Sequence, residues 1–498
     1  MLTTVTKRTG LILLLLQAQL NIQHVVAQTN PQLSNPSTPS VKVESNPSIC
    51  PAQLSNAIEI ITNRPQFSRG RWGIIVQTLS PSTTLYSRDA QKYFIPASNV
   101  KLLLTAAALQ KLGADFRIRT SIYGTSRGVL RVVGRGDPSL TDVQLKQLAK
   151  QLKQKGVKQV TQLIADDNYF QDNDIVNPSW EWEDVQADYG APINSLIVNQ
   201  NAISLQLLPQ KLGQPLRVVW ADANAAKQWQ IDNKSLTTKP GEDTTVNVSR
   251  ALNGSLLKIS GNLSIDAPPE SFGLAVIDPS ANFLQHLRSA FSAEGIKNIA
   301  TNKSIPPPKD VLTTELAAVE SAPLSQLLLE TNLNSNNLYA EAMLRSLGNK
   351  VNSSHSSAIR GLGVVKETLT QLGVNPAGYV LADGSGLSRH NLVSPEVIAQ
   401  TLSVMASPQY AAIYRASLPV AGVSGTLTNR LQNTPAQGIV RAKTGTISGA
   451  VALSGYINAP NYEPLVFSII VNQSDQSAAT IRQAVDEIVL LLVSLRRC

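Results

Sequence analysis

The alternation of apolar and polar residues divides the chain into distinct pieces. The apolar run "LILLLL" follows Lys7 and Arg8 and gives way to polar residues and then Val25-Val26-Ala27. That is the layout of a secretory signal peptide over residues 1–27, too short to span a bilayer. Residues 28–48 are rich in Pro, Ser and Asn and poor in apolar positions, which predicts a linker. "PAQLSNAIEIITNR" then reads as a helix, and "PASNVKLLLTAAAL" as a second, apolar one that stops at Gly113. In "LKQLAKQLKQKG" one helical face holds Leu145, Leu148, Ala149 and Leu152, and the other holds lysines. This helix, which starts near Thr141, sits inside a βαβ-like passage running from "LRVVGRGDPSL" to "LIADD". Short alternating runs at 202–262 suggest an all-β subdomain. "NNLYAEAMLRSLG" is strongly helical, and strands are predicted at 438–446, 450–457 and 465–472, followed by a helix from about 477. Such short hairpin connections imply an antiparallel sheet covered by helices.

Composition changes this picture little. The 43% hydrophobic content is ample for real cores, and the part after the linker has the length of about three domains. No other run reaches membrane-spanning length, so no integral membrane segment is expected once the signal is removed. The net charge of +9 raises the question of nucleic acid, but an export signal and the lack of any basic-aromatic motif argue against that partner. The lysine face of that stretch, from Lys146 to Lys155, is read as solvated. An exported protein of the periplasm or cell envelope is the expectation.

Chemistry is narrowed by what is missing. Of the four histidines, His24 leaves with the signal peptide. There is no His-Glu-x-x-His and no Gly-x-Ser-x-Gly, which argues against a zinc hydrolase and an α/β-hydrolase. No metal and no cofactor are predicted. A serine enzyme without histidine needs another base, and lysine is the usual substitute. Ser98 and Lys101 stand three apart where the pattern is helical, so they share a face. The other Ser-x-x-Lys, Ser255 to Lys258, lies in an alternating strand that turns the two side chains to opposite sides. Ser98 also fits the ordinary role of a helix cap, so this pair alone decides nothing.

Two further motifs follow in order. Ser335-Asn336-Asn337 precedes a helix, and Lys443-Thr444-Gly445-Thr446 lies on a strand. Ser-x-x-Lys, Ser-x-Asn and Lys-Thr-Gly in this order mark penicillin-binding proteins and class A β-lactamases. Through "PASNVK", "NSNN", "DGSGLSRHNLVSP" and "AKTGT" the chain resembles the class C penicillin-binding proteins, the D-alanyl-D-alanine carboxypeptidase/endopeptidases. The resemblance implies a transpeptidase/β-lactamase-like α/β domain, its antiparallel sheet covered by helices and built from both chain ends, at 49–115 and 310–498. The long interval between Ser98 and Ser335 implies a large α+β insertion at 116–309.

Roles follow from chemistry and agree with the resemblance. Ser98 would attack the penultimate D-alanine carbonyl, while Lys101, held neutral by burial and by the cation of Lys443, takes its proton. Ser335 would pass a proton to the leaving amine, and Asn337 would hold Lys101 and the substrate amide. Lys443, Thr444 and Thr446 would bind the terminal carboxylate, with Gly445 leaving room for the ligand. The backbone N–H groups of Ser98 and Thr446 would form the oxyanion hole. Asp166, by resemblance, would meet an amino-bearing side chain of the stem peptide. Asp383 and Arg389 would brace the loop at 381–395. Peptidoglycan stem peptides and cross-links are the implied substrates, and β-lactam antibiotics the implied covalent inhibitors. A serine β-lactamase, or an inactive envelope-binding protein of the same fold, stays open at this point.

Cys50 and Cys498, the two cysteines, sit at opposite ends of the folded region. Export to an oxidising compartment and an even count favour a bridge. If one domain uses both chain ends, the first and last helices pack side by side and the two sulfurs meet.

Overall fold

The computed structural model describes residues 48–124, 128–172, 174–251, 254–298, 314–349 and 355–498. The signal peptide and all but the last residue of the linker lie outside them. Five strands form one antiparallel sheet: β1 (Arg71–Thr78), β2 (Thr84–Arg88), β3 (Val440–Ile447), β4 (Ala450–Ile457) and β5 (Leu465–Asn472). Their order is β3-β4-β5-β1-β2, so strands from the two ends of the chain interleave. Every residue of β5, "LVFSIIVN", is buried. Period two sends Val466 and Ile470 into the core on one face and Leu465, Phe467, Ile469 and Val471 into the core on the other. That explains a continuous apolar run where a one-sided sheet would alternate.

Helices α1 (Pro51–Thr62) and α5 (Ala478–Val493) cover one face, and α2 (Val100–Leu112), α3 (Asn337–Gly348) and α4 (Pro395–Met405) the other. Helix α2 is buried on all sides from Val100 to Leu109, in keeping with a composition that is apolar and Ala-rich except for Lys101 and Thr105. Chain ends converge beside α1 and α5. Ile49 N–H donates to the Ser494 carbonyl at 3.1 Å, Arg496 N–H returns to the Ile49 carbonyl at 3.0 Å, and Arg64 pairs with Glu487. A disulfide joins Cys50 to Cys498 there.

The insertion has its own four-stranded sheet. Its order is Glu315–Glu320, Arg119–Gly124, Val129–Val133, Gln162–Asp166, and the last two strands run parallel on either side of the helix Asp142–Gln154 in sequence. Strand Glu315–Glu320 lies beyond the expected boundary at 310 yet pairs with Arg119–Gly124, because Ala317 and Val319 bury in the same core as Ile122. Likewise Glu270–Ala275 pairs with Ala202–Leu208, which carries the β-rich region past 262. Trp180, Ile193 and Ile197 of the insertion pack on Leu338 and Ala342 of α3, docking the insertion beside the first residues of that helix. No helix among the described residues is long and apolar enough to cross a membrane.

Reducing the bridge, or replacing Cys50 with Ser, should lower stability by about 2–5 kcal/mol on the chain-entropy account. The check is the thermal midpoint of the oxidised against the reduced and alkylated protein. Ready alkylation of both thiols in the untreated native protein would overturn the pairing.

Candidate active site

Ser98 lies in a tight 3-10 turn, Ala97–Asn99, at the foot of α2. Ala97 is buried at φ 47°, a left-handed conformation that an alanine adopts only where its surroundings impose it. Asn99 supplies part of that constraint. Its Nδ2 donates to Ser454 Oγ at 2.8 Å on β4, and Ser454 Oγ donates to Ser468 Oγ at 2.9 Å on β5, so the turn is tied to the sheet. No side chain caps the start of α2, and the Ser98 hydroxyl instead faces Lys101, whose Nζ lies 3.0 Å away.

Lys101 is fully buried and its amine also donates to Asn337 Oδ1 at 2.7 Å and to the Ser385 carbonyl at 2.5 Å. Burial lowers its pKa to about 7, with Asp383 and Glu341 pulling the other way. Burial thus accounts for the neutral amine, and the carboxylates nearby oppose it. The charge of Lys443, invoked from sequence, is not what lowers Lys101.

The second serine–lysine pair lies opposite. Ser335, buried at φ 59°, accepts from Lys443 Nζ at 2.8 Å, and Lys443 also donates to the Thr444 carbonyl at 2.9 Å. Burial, then the nearby Lys101, holds the Lys443 pKa well below its ordinary value. Asn336, one residue on, caps α3 by accepting from Tyr339 N–H at 3.2 Å, which leaves Ser335 outside the helix. Asn337 bridges Lys101 and the insertion, donating to the Tyr189 carbonyl at 2.9 Å.

Strand β3 forms the sheet edge on this side. Ala442 N–H points off that edge, to the Pro419 carbonyl at 3.0 Å. Period two then directs the N–H groups of Thr444 and Thr446 outward as well. A Cβ at Gly445 would lie 2.8 Å from the Pro96 carbonyl and 3.2 Å from Ala97 Cβ. This glycine lets the strand abut the Ser98 turn, a packing role that sequence reasoning, which expected it to leave room for ligand, did not name. Gly386 does the same from the loop at 381–395, where a Cβ would overlap the Ala97 carbonyl. Thr444 Oγ1 pairs with Thr426 Oγ1 at 2.7 Å.

In that loop Asp383 is fully buried and accepts from Ser385, Gly386 and Ser388, from Asn391, and from Trp180 Nε1 of the insertion at 2.8 Å. Arg389 ties Glu181 of the insertion (2.5 Å) to the Ser448 carbonyl in the β3–β4 turn (2.6 Å). Both therefore brace.

Asp166 is not gathered into this cluster. At the end of its strand, its carboxylate takes Arg131 and Asn168; burial pushes its pKa up, but these partners outweigh it and leave it below the ordinary value. The acid tied to the site's border is Asp184, whose Oδ1 accepts from the Tyr189 hydroxyl at 3.1 Å and whose pKa burial raises. Sequence reasoning missed Tyr189, Asp184, Thr426 and Glu341. Two had a signal: Tyr189 opens the run "YGAPINSL" in the insertion, and Thr426 follows Gly425 in a 3-10 turn.

Two serines, each facing a buried lysine, form a site suited to serine acyl transfer, with lysine standing where other serine enzymes use histidine. Comparison with known proteins places it more closely: residues 54–491 match the D-Ala-D-Ala carboxypeptidase 3 (S13) family, and the chain belongs to that family of serine-type hydrolases. It is 36% identical over 442 residues to the D-alanyl-D-alanine carboxypeptidase of Actinomadura sp. (strain R39), covering 84% of this chain and 81% of the relative. It is 31% identical over 469 residues to the penicillin-sensitive carboxypeptidase A of Dictyostelium discoideum, covering 85% and 87%. The fold matches the crystal structure of penicillin binding protein 4 (dacB) from Haemophilus influenzae at TM-score 0.75 and 24% identity, over 87% of this chain and 98% of that one.

Gly386→Ala should displace the Ser98 turn, lowering the thermal midpoint and slowing covalent capture of penicillin by about tenfold or more. Gly373, also at positive φ but with nothing within 4 Å of an added Cβ, is the control. Gly373→Ala should cost about 1–2 kcal/mol of strain and leave capture unchanged. Equal capture by the two variants would overturn the packing argument.

Proposed function

We propose that this D-Ala-D-Ala carboxypeptidase works through an acyl-enzyme on Ser98, acts outside the cytoplasm in the periplasm or envelope, and cleaves both peptidoglycan stem peptides and cross-links. The observation that carries the reading is the 3.0 Å contact between Ser98 and a buried Lys101 whose pKa falls to about 7. Neutral Lys101 accepts the Ser98 proton as Oγ attacks the carbonyl carbon of the penultimate D-alanine. The N–H groups of Ser98 and Thr446 hold the tetrahedral oxyanion. The C–N bond then breaks as a proton reaches the leaving amine through Ser335, which Lys443 orients. Water attacks the ester, releasing the shortened peptide and restoring Ser98.

The terminal carboxylate is met by Lys443, Thr444 and Thr446, and Thr426 joins them through its pairing with Thr444. A bound carboxylate favours the charged form of Lys443 that burial otherwise disfavours. For an amine-bearing stem side chain, Asp184 is the better candidate than Asp166, since it is linked through Tyr189 to Asn337, whereas Asp166 is committed to Arg131. In a cross-link the leaving group is an amine on a neighbouring stem, and the same bond type breaks. A β-lactam presents a strained amide and a carboxylate to the same groups. A β-lactam complex has been described for the Haemophilus influenzae protein.

Ser98→Ala should abolish covalent labelling by penicillin, read by mass spectrometry of the intact protein. Undiminished labelling of that variant sinks the nucleophile assignment, and rapid turnover of penicillin by the native protein would identify a β-lactamase. The pH dependence has a definite sign. Only neutral Lys101 acts as base, so the rate of acylation should rise with pH through about 7 and level off above it. A rate that is flat or falls from about pH 6 to about pH 8 would remove Lys101 from the base role.

A further inference from the structure

Helix α3 carries more than Asn337. Glu341 lies one turn further along the same face and is fully buried. Its Oε1 accepts from the backbone N–H groups of Gly384 at 2.8 Å and Ser385 at 3.0 Å. Its Oε2 accepts from Arg345 Nη1 at 2.9 Å, a turn further on, and Arg345 Nε donates to Asp172 Oδ2 at 2.7 Å. The three side chains are 0–5% exposed. Arg345 and the amide donors hold the Glu341 carboxylate against burial and the Asp383 charge, which push its pKa up. A buried ionic line of this kind is weak evidence of stability, since apolar groups of similar volume usually do as well. It has a geometric consequence nearby.

A neutral amine has two hydrogens and one lone pair. Lys101 has three polar neighbours: Asn337 Oδ1, the Ser385 carbonyl and Ser98 Oγ. Asn337 Oδ1 and the Ser385 carbonyl only accept, so they take the two hydrogens and the lone pair is left facing the Ser98 hydroxyl. The Ser385 carbonyl holds that direction only while its loop is fixed, and Glu341 grips the two amides that immediately precede it in sequence, while Asp383 takes the Gly386 amide that follows. We propose that Glu341 is a positioning residue for Lys101: by clamping the Gly384 and Ser385 amides it holds the Ser385 carbonyl as acceptor and so aims the Lys101 lone pair at Ser98. The inference rests on the assignment of Lys101 as base. The charged groups facing Lys101 are Glu341 and Asp383 on one side and Lys443 on the other, with Arg345 and Asp172 behind Glu341.

The test is the rate of penicillin acylation against pH, per folded molecule, for the native protein, Glu341→Gln, Glu341→Ala and Asp172→Asn. Glu341→Gln removes a charge that favours the ammonium, so the midpoint of the rise should move to lower pH, by about one unit. Glu341→Ala also loses the clamp and should lower the plateau by about tenfold or more. A merely structural Glu341 predicts a lower thermal midpoint with the plateau per folded molecule unmoved in Glu341→Ala, and that result overturns the proposal. If the Glu341 variants do not fold, Asp172→Asn, which loosens Arg345 and through it Glu341, decides: a lowered plateau supports the role, and an unmoved plateau overturns it. Lys101→Met separates the two assignments. If that variant is acylated normally, the base reading itself fails; if it is dead while the Glu341→Ala plateau is unmoved, only the positioning role is lost.

Discussion

Everything at this site depends on the removal of two lysine amines from water. Lys101 and Lys443 are both fully buried, and a lone ammonium in such a place is strongly disfavoured. The fold does not neutralise them with direct carboxylate partners; their hydrogen bonds go to serines, an asparagine amide and backbone carbonyls. The acids stay one contact back, at Asp383 and Glu341. That separation keeps Lys101 near its titration point at neutral pH, where a direct ion pair would lock it as a cation.

Such an arrangement needs several chain segments brought to one point with little tolerance. The nucleophile's turn is gripped between Gly445 on β3 and Gly386 in the bracing loop, and Asn99 ties it to β4. Asp383 gathers the loop and reaches Trp180 of the insertion, and Asn337 reaches Tyr189. The insertion is therefore part of the wall behind Lys101 as well as an appendage to the sheet. Positive φ at Ala97 and Ser335 places backbone strain beside both serines, where the surrounding contacts over-determine it.

What could be read from the residues was what is local or strongly periodic. Ser98 and Lys101 are one helical turn apart, the Lys-Thr-Gly run sits in a strand, and β4 and β5 are mostly apolar runs, each carrying one serine. Long-range pairing was harder. Glu315–Glu320 is a short alternating strand whose partner lies far back at Arg119–Gly124, and nothing nearby indicates which sheet it joins. Asp166 and Asp184 are both acids beside turns, and only packing separates the one neutralised by Arg131 from the one next to Tyr189. Glu341 sits in a helix that reads as amphipathic, where a glutamate ordinarily faces solvent; its burial follows from Arg345 and from amides of a distant loop.

The interleaved sheet also sets a schedule. Strand β1 lies between β5 and β2, and β5 belongs to the last part of the chain. A ribosome or a translocation pore delivers residues in order, so Ser98 and Lys101 emerge long before β3, with Lys443 and Thr446, exists to face them. Until then the emerging half-sheet has an unpaired edge, and the Ser98 turn has neither β3 nor Lys443 beside it. Contacts of such long sequence separation form slowly. The meeting of the two serine–lysine pairs is thereby withheld until nearly the whole polypeptide has been delivered, a delay written into strand order alone.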